Sequence, residues 1–319
     1  MSLASGFLTQ LLHIALMLAA APLVLGGVRW LKARMMGRTG AHPLQPLVDM
    51  LKLLRKRPVL ADNASWISRA APYVAAGAAL AAAALVPSFT RGMAFAPVAD
   101  LVLVAGLLAL GRVALALAGL DVGTAFGGLG AAREMSFAAL AEPALLIAVL
   151  SCAILAGTTG LEGIAAAFQE GALGLRVSLG LALLALLAVA VAENARIPVD
   201  NPATHLELTM VHEAMILEAS GRHLALWEAA SALRLTLWLA LLAAVFLPFG
   251  TAPAGFAPLG WVFGLLAWAA KMAVLCLALA AFESAIAKMR VFRVPEFLGV
   301  ALLLGLLGAI LLFVSTRLA

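Results

Sequence analysis

Between Ala192 and Leu226 the chain reads AENARIPVDNPATHLELTMVHEAMILEASGRHLAL. Glu193, Arg196, Asp200, His205, Glu207, His212, Glu213, Glu218, Arg222 and His223 crowd into it, while apolar runs flank it from Val177 to Ala192 and from Leu233 to Phe249. Runs of that kind are segments buried in lipid or in a core, and ionised groups beside them must find water, a partner or a proton. The flanks decide the fold, and the charged stretch between them is where function is expected.

Working outward, 319 residues with 65% hydrophobic and only 12% charged content cannot supply an ordinary soluble surface. Apolar segments long enough for a hydrocarbon core of about 30 Å run from Leu3 to Val28, Ala70 to Val86, Val98 to Leu120, Met135 to Ala156, Val177 to Ala192, Leu233 to Phe249, Trp261 to Phe282 and Phe297 to Val314. The expectation is an all-α, polytopic membrane protein with eight transmembrane helices, formed as a single domain over residues 1–319. The Ala and Gly content of the spans suits close helix packing. The first span lacks a basic region before it and has a long apolar stretch, so it reads as a retained anchor and not as a signal peptide. Cys152 and Cys276 both fall within spans and form no CxxC or Cys/His cluster, which supports neither a disulfide framework nor an iron-sulfur site.

Basic residues set the expected orientation. Of the 21 Lys and Arg, only Arg91, Arg176 and Arg317 lie in even-numbered connectors or the C-terminal tail. The odd-numbered connectors are therefore expected in the cytoplasm, with both termini on the outer side and the charged stretch, the fifth connector, on the cytoplasmic side. The net charge of +5 follows this bias and implies no nucleic-acid binding.

In the first connector, GRTGAHPLQPLVDMLKLLRKRPVL, Leu44, Leu47, Val48, Leu51 and Leu54 recur at helical spacing while Asp49, Lys52, Arg55 and Lys56 point elsewhere. This is an amphipathic helix along the cytoplasmic face. Two readings stand: a lipid-surface helix with snorkelling basic residues, or a platform on which Arg38, Gln45, Pro46, Asp49 and Lys52 dock a soluble partner. The third connector, DVGTAFGGLGAAREM, lacks GxGxxG and follows a membrane helix, so Gly127, Gly128 and Gly130 are expected to permit a tight turn or close backbone approach, and no nucleotide site is expected. Glu142 falls about two turns inside the fourth span. An isolated carboxylate there costs about 2.5–3.5 kcal/mol unless paired, hydrated or protonated, which makes Glu142 a candidate for a proton path or for a structural pair with an Arg on a neighbouring span. Arg112 and Lys271 are further charges inside apolar runs.

Within the charged stretch, Pro198 is expected to end the fifth span's helix, Asn201 to cap a new one with Pro202 in its first turn, and Gly221 to close it. Such a helix would place His205 and His212 on one face and Glu207 and Glu218 on the other, a carboxylate row that can relay protons through bridging water or simply form a solvated face. His212 and Glu213 begin an HExxH pattern that fails at Ile216, so no zinc site is expected, and there is no GxSxG elbow. No catalytic, cofactor-binding or metal-ligating residue is assigned to this chain.

The segments GRTGAHPLQPLVDMLKLLRK, AFGGLGAAREMSFAALAEP and ENARIPVDNPATHLELTMVHEAMILEASGRHLAL resemble the subunit 1, or H-type, membrane proteins of respiratory complex I and of related membrane-bound hydrogenases. The order of segments and the eight-span plan match through most of the chain. Glu193, Asn194, Arg196, Pro198, Asp200, Pro202 and Glu207 keep the quinone-reducing pattern, but Ala203 and His205 stand where that pattern has acids. The strings DNPATHLELTMVHEAMILE and SGRHLAL look closer to the membrane subunits of formate hydrogenlyase and hydrogenase 4, the group 4 membrane-bound [NiFe] hydrogenases.

That resemblance implies a bacterial inner-membrane subunit without a redox centre or cofactor of its own. It would anchor a cytoplasmic [NiFe] large subunit, a small subunit and a ferredoxin-like iron-sulfur protein, beside antiporter-like membrane subunits. It implies Glu193, Asp200, Glu207 and Glu218, with Glu213, Glu142 and Lys271, as a proton path, and Arg196 and Arg112 as ion-pair organisers. The alternatives are a quinone-site subunit of an NADH:quinone oxidoreductase and a stand-alone secondary transporter, although no internal repeat of the transporter kind is found.

Overall fold

A backbone surrounded by hydrocarbon must satisfy its own hydrogen bonds, and a helix does so within one segment. The computed structural model describes residues 3–169, 176–200 and 210–318, and among them it is helical with no strand and two isolated bridges, Thr90 with Ala252 and Asp100 with Gly160. In chain order the helices are α1 (Leu3–Met35), α2 (Gln45–Leu54), α3 (Trp66–Leu85), α4 (Leu101–Asp121), α5 (Ala125–Ala156), α6 (Leu161–Gln169), α7 (Val177–Glu193), α8 (His212–Ile216), α9 (Gly221–Phe246), α10 (Pro258–Ala285) and α11 (Val294–Leu318). Seven of them, α1, α3, α4, α5, α9, α10 and α11, are long and apolar enough to cross a membrane; α7 is apolar but has 17 residues. The eight expected spans fall on these eight helices in order.

α9 is the axis of the bundle, buried along most of its length and packed by α3, α1 and α2. α3 meets α4 and α9 through Ala71, Ala75, Ala79, Ala82 and Ala83, whose small side chains allow close backbones. α11 closes the far side against α5 and α7. α1 is tied at both ends. Near its start, His13 Nε2 lies 2.9 Å from the Ala83 carbonyl, which can only accept, so Nε2 carries the proton and Nδ1 accepts from the Ser88 hydroxyl at 2.7 Å. Gln10 donates to the Ala84 carbonyl at 2.9 Å. Near the other end, Lys32 bonds Glu283 of α10 at 3.0 Å.

Two local expectations are corrected and one is narrowed. Of the tight turn or close backbone approach expected at the glycines of the third connector, Gly127 and Gly130 make the close approach: Thr124 caps the helix by accepting from Gly127 N–H, and Gly127, Gly128 and Gly130 belong to the first turns of α5. Packing overrides glycine's poor helix propensity, because a Cβ on Gly127 would sit 2.1 Å from the Gly119 carbonyl oxygen and one on Gly130 would sit 2.8 Å from that of Val211. Gly127→Ala is accordingly expected to lower the unfolding temperature of the purified protein by the equivalent of about 1–3 kcal/mol, whereas Gly128→Ala, with open space around it, should be neutral or slightly stabilising.

The fifth span's helix ends before Pro198. After Glu193, Ala195 N–H bonds the Ala192 carbonyl and Arg196 N–H bonds that of Val191, each at 3.0 Å, while Ala195 takes φ +49°. This is a Schellman end with alanine where glycine is preferred. Ala195→Gly should therefore raise thermal stability by about 1 kcal/mol; no gain in a thermal unfolding assay would contradict that account.

The expected helix from Asn201 to Gly221 is not continuous. Residues 201–209, including Ala203, His205 and Glu207, lie outside the described residues, but α8 spans only five residues and ends at Ile216. Gly221 opens α9 instead of closing a helix: its φ is +52°, and a Cβ there would lie 2.5 Å from the Arg57 carbonyl oxygen. Ser220 Oγ accepts from Val59 N–H at 2.8 Å and donates to its carbonyl at 2.9 Å. These contacts hold Ser220 and Gly221 against the segment before α3.

Candidate functional site

α8 sits in a notch between α4 and α5 that exists because Gly119 and Gly130 have no side chains; the Met215 side chain fills the space. Arg133 of α5 donates to the Met210 carbonyl at 3.0 Å and fixes the chain entering α8. This seating turns His212 inward, toward a cluster of charges contributed by α4, α5, α7 and α9.

Arg112 of α4 is the centre of that cluster and is 2% exposed. Its guanidinium donates to Glu142 at 2.6 Å and to Glu193, and its Nε lies 3.6 Å from Glu134. Glu134 and Glu193 are buried, whereas the Glu142 side chain is 43% exposed at the outer edge of the cluster. Arg234 of α9 adds a second cation that acts on Glu193 and Glu134. A planar guanidinium with five donors can serve several carboxylates at once, which an ammonium cannot.

His212 Nδ1 lies 3.6 Å from Glu134, beyond hydrogen-bond length, and neither ring nitrogen has a hydrogen-bond partner among the described residues. Burial pushes its pKa down to about 3; Arg234 and Arg112 push the same way, and the carboxylates of Asp200 and Glu193 oppose them without prevailing. His212 is thus neutral at pH 7.

A second set of ion pairs holds the connector after α7. Arg196 lies 3.4 Å from Glu283 of α10, the carboxylate that also binds Lys32. Asp200 bonds Lys288 at 2.8 Å, and Met289 N–H donates to the Pro198 carbonyl at 2.9 Å. The end of α10 and the residues that follow it therefore clamp the segment from Arg196 to Asp200.

Three voids that share lining residues lie between the surface and the cluster. A groove of about 940 Å³ is lined by Arg29, Lys32, Arg38, Arg196, Glu213, Glu228 and Glu283. It shares Arg29, Arg196, Glu213 and Glu228 with an inner cleft of about 100 Å³, which His212 and Arg234 also line. His212 in turn borders a pocket of about 10 Å³ shared with Arg112, Glu134, Glu193 and Asp200. That last space is near the size of a single water. Polar side chains thus run from the groove to the guanidinium of Arg112.

Of the sequence-derived candidates, Arg196 and Glu213 line the inner cleft, Arg112, Glu193 and Asp200 line the innermost pocket, and Glu142 pairs with Arg112. Glu218 is exposed and lies instead near Ser68 and His223, beside α3. Lys271 is also elsewhere, its ammonium bonded to the Leu247 and Phe249 carbonyls at 2.9 Å each. Arg38 lines the outer groove; Gln45, Asp49 and Lys52 are exposed on α2, with Gln45 donating to Asp49 at 2.9 Å, but Pro46 is packed inside the chain against Gly26. Glu134, Arg234, His212 and Glu283 were not singled out as site residues by the sequence reading. Arg234 carried a usable signal, a charge just inside an apolar run, whereas Glu134 read as the edge of a span. Among the described residues no three His, Cys, Asp or Glu side chains are arranged to hold a metal ion.

Comparison with known proteins agrees with this architecture. The family model described as NADH dehydrogenase matches residues 8–314. Formate hydrogenlyase subunit 4 of Escherichia coli (strain K12) is 31% identical over 292 residues, covering 91% of this chain and 93% of that protein. Hydrogenase-4 component C of the same organism is 34% identical over 253 residues, 79% of each chain. A chain in the solved structure of the membrane-bound sulfane sulfur reductase, an archaeal respiratory membrane complex, superposes with a TM-score of 0.82 over 97% of this chain and 99% of its own; at 21% identity this shows the shared fold. The chain belongs to the NADH dehydrogenase family, as a multi-pass membrane member similar to formate hydrogenlyase and hydrogenase-4 subunits.

Proposed function

We propose that this chain is the membrane anchor and coupling subunit of a [NiFe] hydrogenase complex in a bacterial inner membrane. The groove by Arg29 and Arg38 faces the cytoplasm and receives the redox arm, whose large, small and ferredoxin-like subunits hold the [NiFe] centre and iron-sulfur clusters. Antiporter-like subunits stand beside it in the membrane, and both termini face the periplasm. The observation that supports the coupling role is a series of polar-lined voids, sharing Arg29, Arg196, Glu213 and Glu228 and then His212, between the groove and the carboxylates gathered on Arg112. Water or a transient proton can occupy such a route, while an apolar core would exclude both. Glu193 and Glu142 are its inner stations and Glu213 its entrance, with Asp200 holding the connector in register and Arg196 organising the mouth.

Glu193→Gln and Glu142→Gln, made in the intact complex, test this directly. Assembly should persist and proton-linked hydrogen turnover should fall by about a hundredfold or more, the scale of one lost proton-transfer group at the low end. Normal assembly with full turnover in both variants would sink the reading. The sequence similarity to NADH dehydrogenase proteins keeps a quinone-site role as the second reading, since the inner cleft of about 100 Å³ is lined partly by Leu25, Leu107, Leu115 and Trp227. Quinone-dependent, inhibitor-sensitive electron transfer by the purified assembly would select that role instead.

A further inference from the structure

α2 presents three different faces. At 100° per residue and with Gln45 at zero, Pro46, Met50 and Leu53 centre on roughly 105°. This is the side that packs against α1 and α9; Pro46 and Met50 are buried there. Gln45, Asp49 and Lys52 form a polar ridge within about 40° of zero, and Leu44, Leu47, Val48, Leu51 and Leu54 fill a separate sector from roughly 180° to 300°, into which the C-cap residue Arg55 also falls. All five of these apolar side chains are exposed, Val48, Leu51 and Leu54 by half or more. One apolar face rests on the bundle, and nothing among the described residues covers the second.

Position and charge say what covers that second face. α2 lies between the end of one candidate span, at Met35, and the start of the next, at Trp66, which places it at the level of a membrane–water boundary. Trp66, at the first residue of α3, is 73% exposed, as expected of an aromatic at headgroup depth. Lys52, Arg55, Lys56, Arg57 and Arg69 are all exposed around this segment, against the carboxylates of Asp49 and Asp62. Bundle beside, apolar sector on one side, charged ridge toward water and cations at the rim is the arrangement of a helix lying in an interface.

We propose that α2 is a half-immersed anchor for anionic phospholipid, with Leu47, Val48, Leu51 and Leu54 at the headgroup–acyl boundary and Lys52, Arg55, Lys56 and Arg57 engaging lipid phosphates. The inference rests on membrane insertion alone and is independent of the hydrogenase reading.

The test uses the full chain, reconstituted alone and within its complex, carrying a nitroxide at Leu51→Cys or, as a reference, Asp49→Cys. In vesicles of phosphatidylcholine doped with phosphatidylglycerol, the Leu51 label should be open to oxygen and shielded from a water-soluble nickel chelate, and the Asp49 label the reverse. Chain purified from mixed lipid should retain phosphatidylglycerol in preference to phosphatidylcholine, by up to about fivefold for each engaged cation. Lys52→Gln/Arg55→Gln/Lys56→Gln/Arg57→Gln should erase that preference while the Leu51 label stays immersed, which also shows that the helix remains folded. A Leu51 label equally open to the chelate, a label shielded from both reagents in the complex because protein covers it, or equal retention of the two lipids would each overturn the proposal.

Discussion

Replacing Arg112 with leucine should destabilise the protein more than any other single change in the bundle. Arg112→Leu leaves Glu134 and Glu193 buried without their shared guanidinium, and breaking a buried ion pair from one side costs about 3–5 kcal/mol. Arg234, which also acts on both carboxylates, keeps the expected loss toward the lower end of that range. Arg112→Lys should recover only part of it, since one ammonium cannot reach Glu142, Glu193 and Glu134 together in the geometry that the forked guanidinium satisfies. Combining Arg112→Leu with Glu134→Gln and Glu193→Gln removes the stranded charges and should restore stability toward the parent. Thermal unfolding of the purified protein in detergent, read for all four forms, checks the series; a leucine variant as stable as the parent would refute the ion-pair account.

The second large effect is a pH dependence carried by His212. Its pKa is about 3 in the folded protein against 6.5 when exposed. Between those values the unfolded chain binds a proton that the folded one does not, so the imidazole's contribution is fully present above pH 6.5 and is lost as the pH falls toward 3. The slope is about 1.4 kcal/mol per pH unit within that window. His212→Gln does not titrate there, and the difference between the unfolding temperatures of the two proteins should narrow steadily from pH 6.5 downward. Carboxylate protonation is common to both and cancels in the comparison. A constant difference from pH 7 to pH 4 would mean that His212 is protonated at neutral pH or is open to solvent.

Much of the architecture was legible because its signal is local. An apolar run must be helical in lipid, and so every expected span falls on a helix. Arg112, Glu142 and Glu193 were legible for the converse reason, since a charge inside or beside such a run needs a partner. What those charges pair with was not. Lys32 and Glu283 are 251 residues apart, and Arg112 and Glu193 are 81 apart, so neither pair leaves a mark in sequence spacing. Glycine was ambiguous in one place and misled in another. At Gly127 and Gly130, where a turn and a close backbone approach were both open, it signals the second, a helix packed against backbone, and at Gly221 it signals a crossing with Arg57 at the start of a helix, not its end. Proline misled once, because the backbone at Ala195 had already ended α7 before Pro198 was reached.

α1 joins the two faces of the protein in a mechanical sense. It is a single helix of 33 residues, about 50 Å long at 1.5 Å per residue. His13 and Gln10 pin one end to the last turn of α3 and to Ser88 just beyond it, and Lys32 pins the other to the carboxylate that also holds Arg196. A helix resists axial stretch far better than a loop does. A subunit that pulled Lys32 or Glu283 at the groove would therefore displace α1 as a rod, and the load would reach Ser88 and Ala83 on the opposite side. His13 is rooted there by both ring nitrogens, as a strut is seated at its foot.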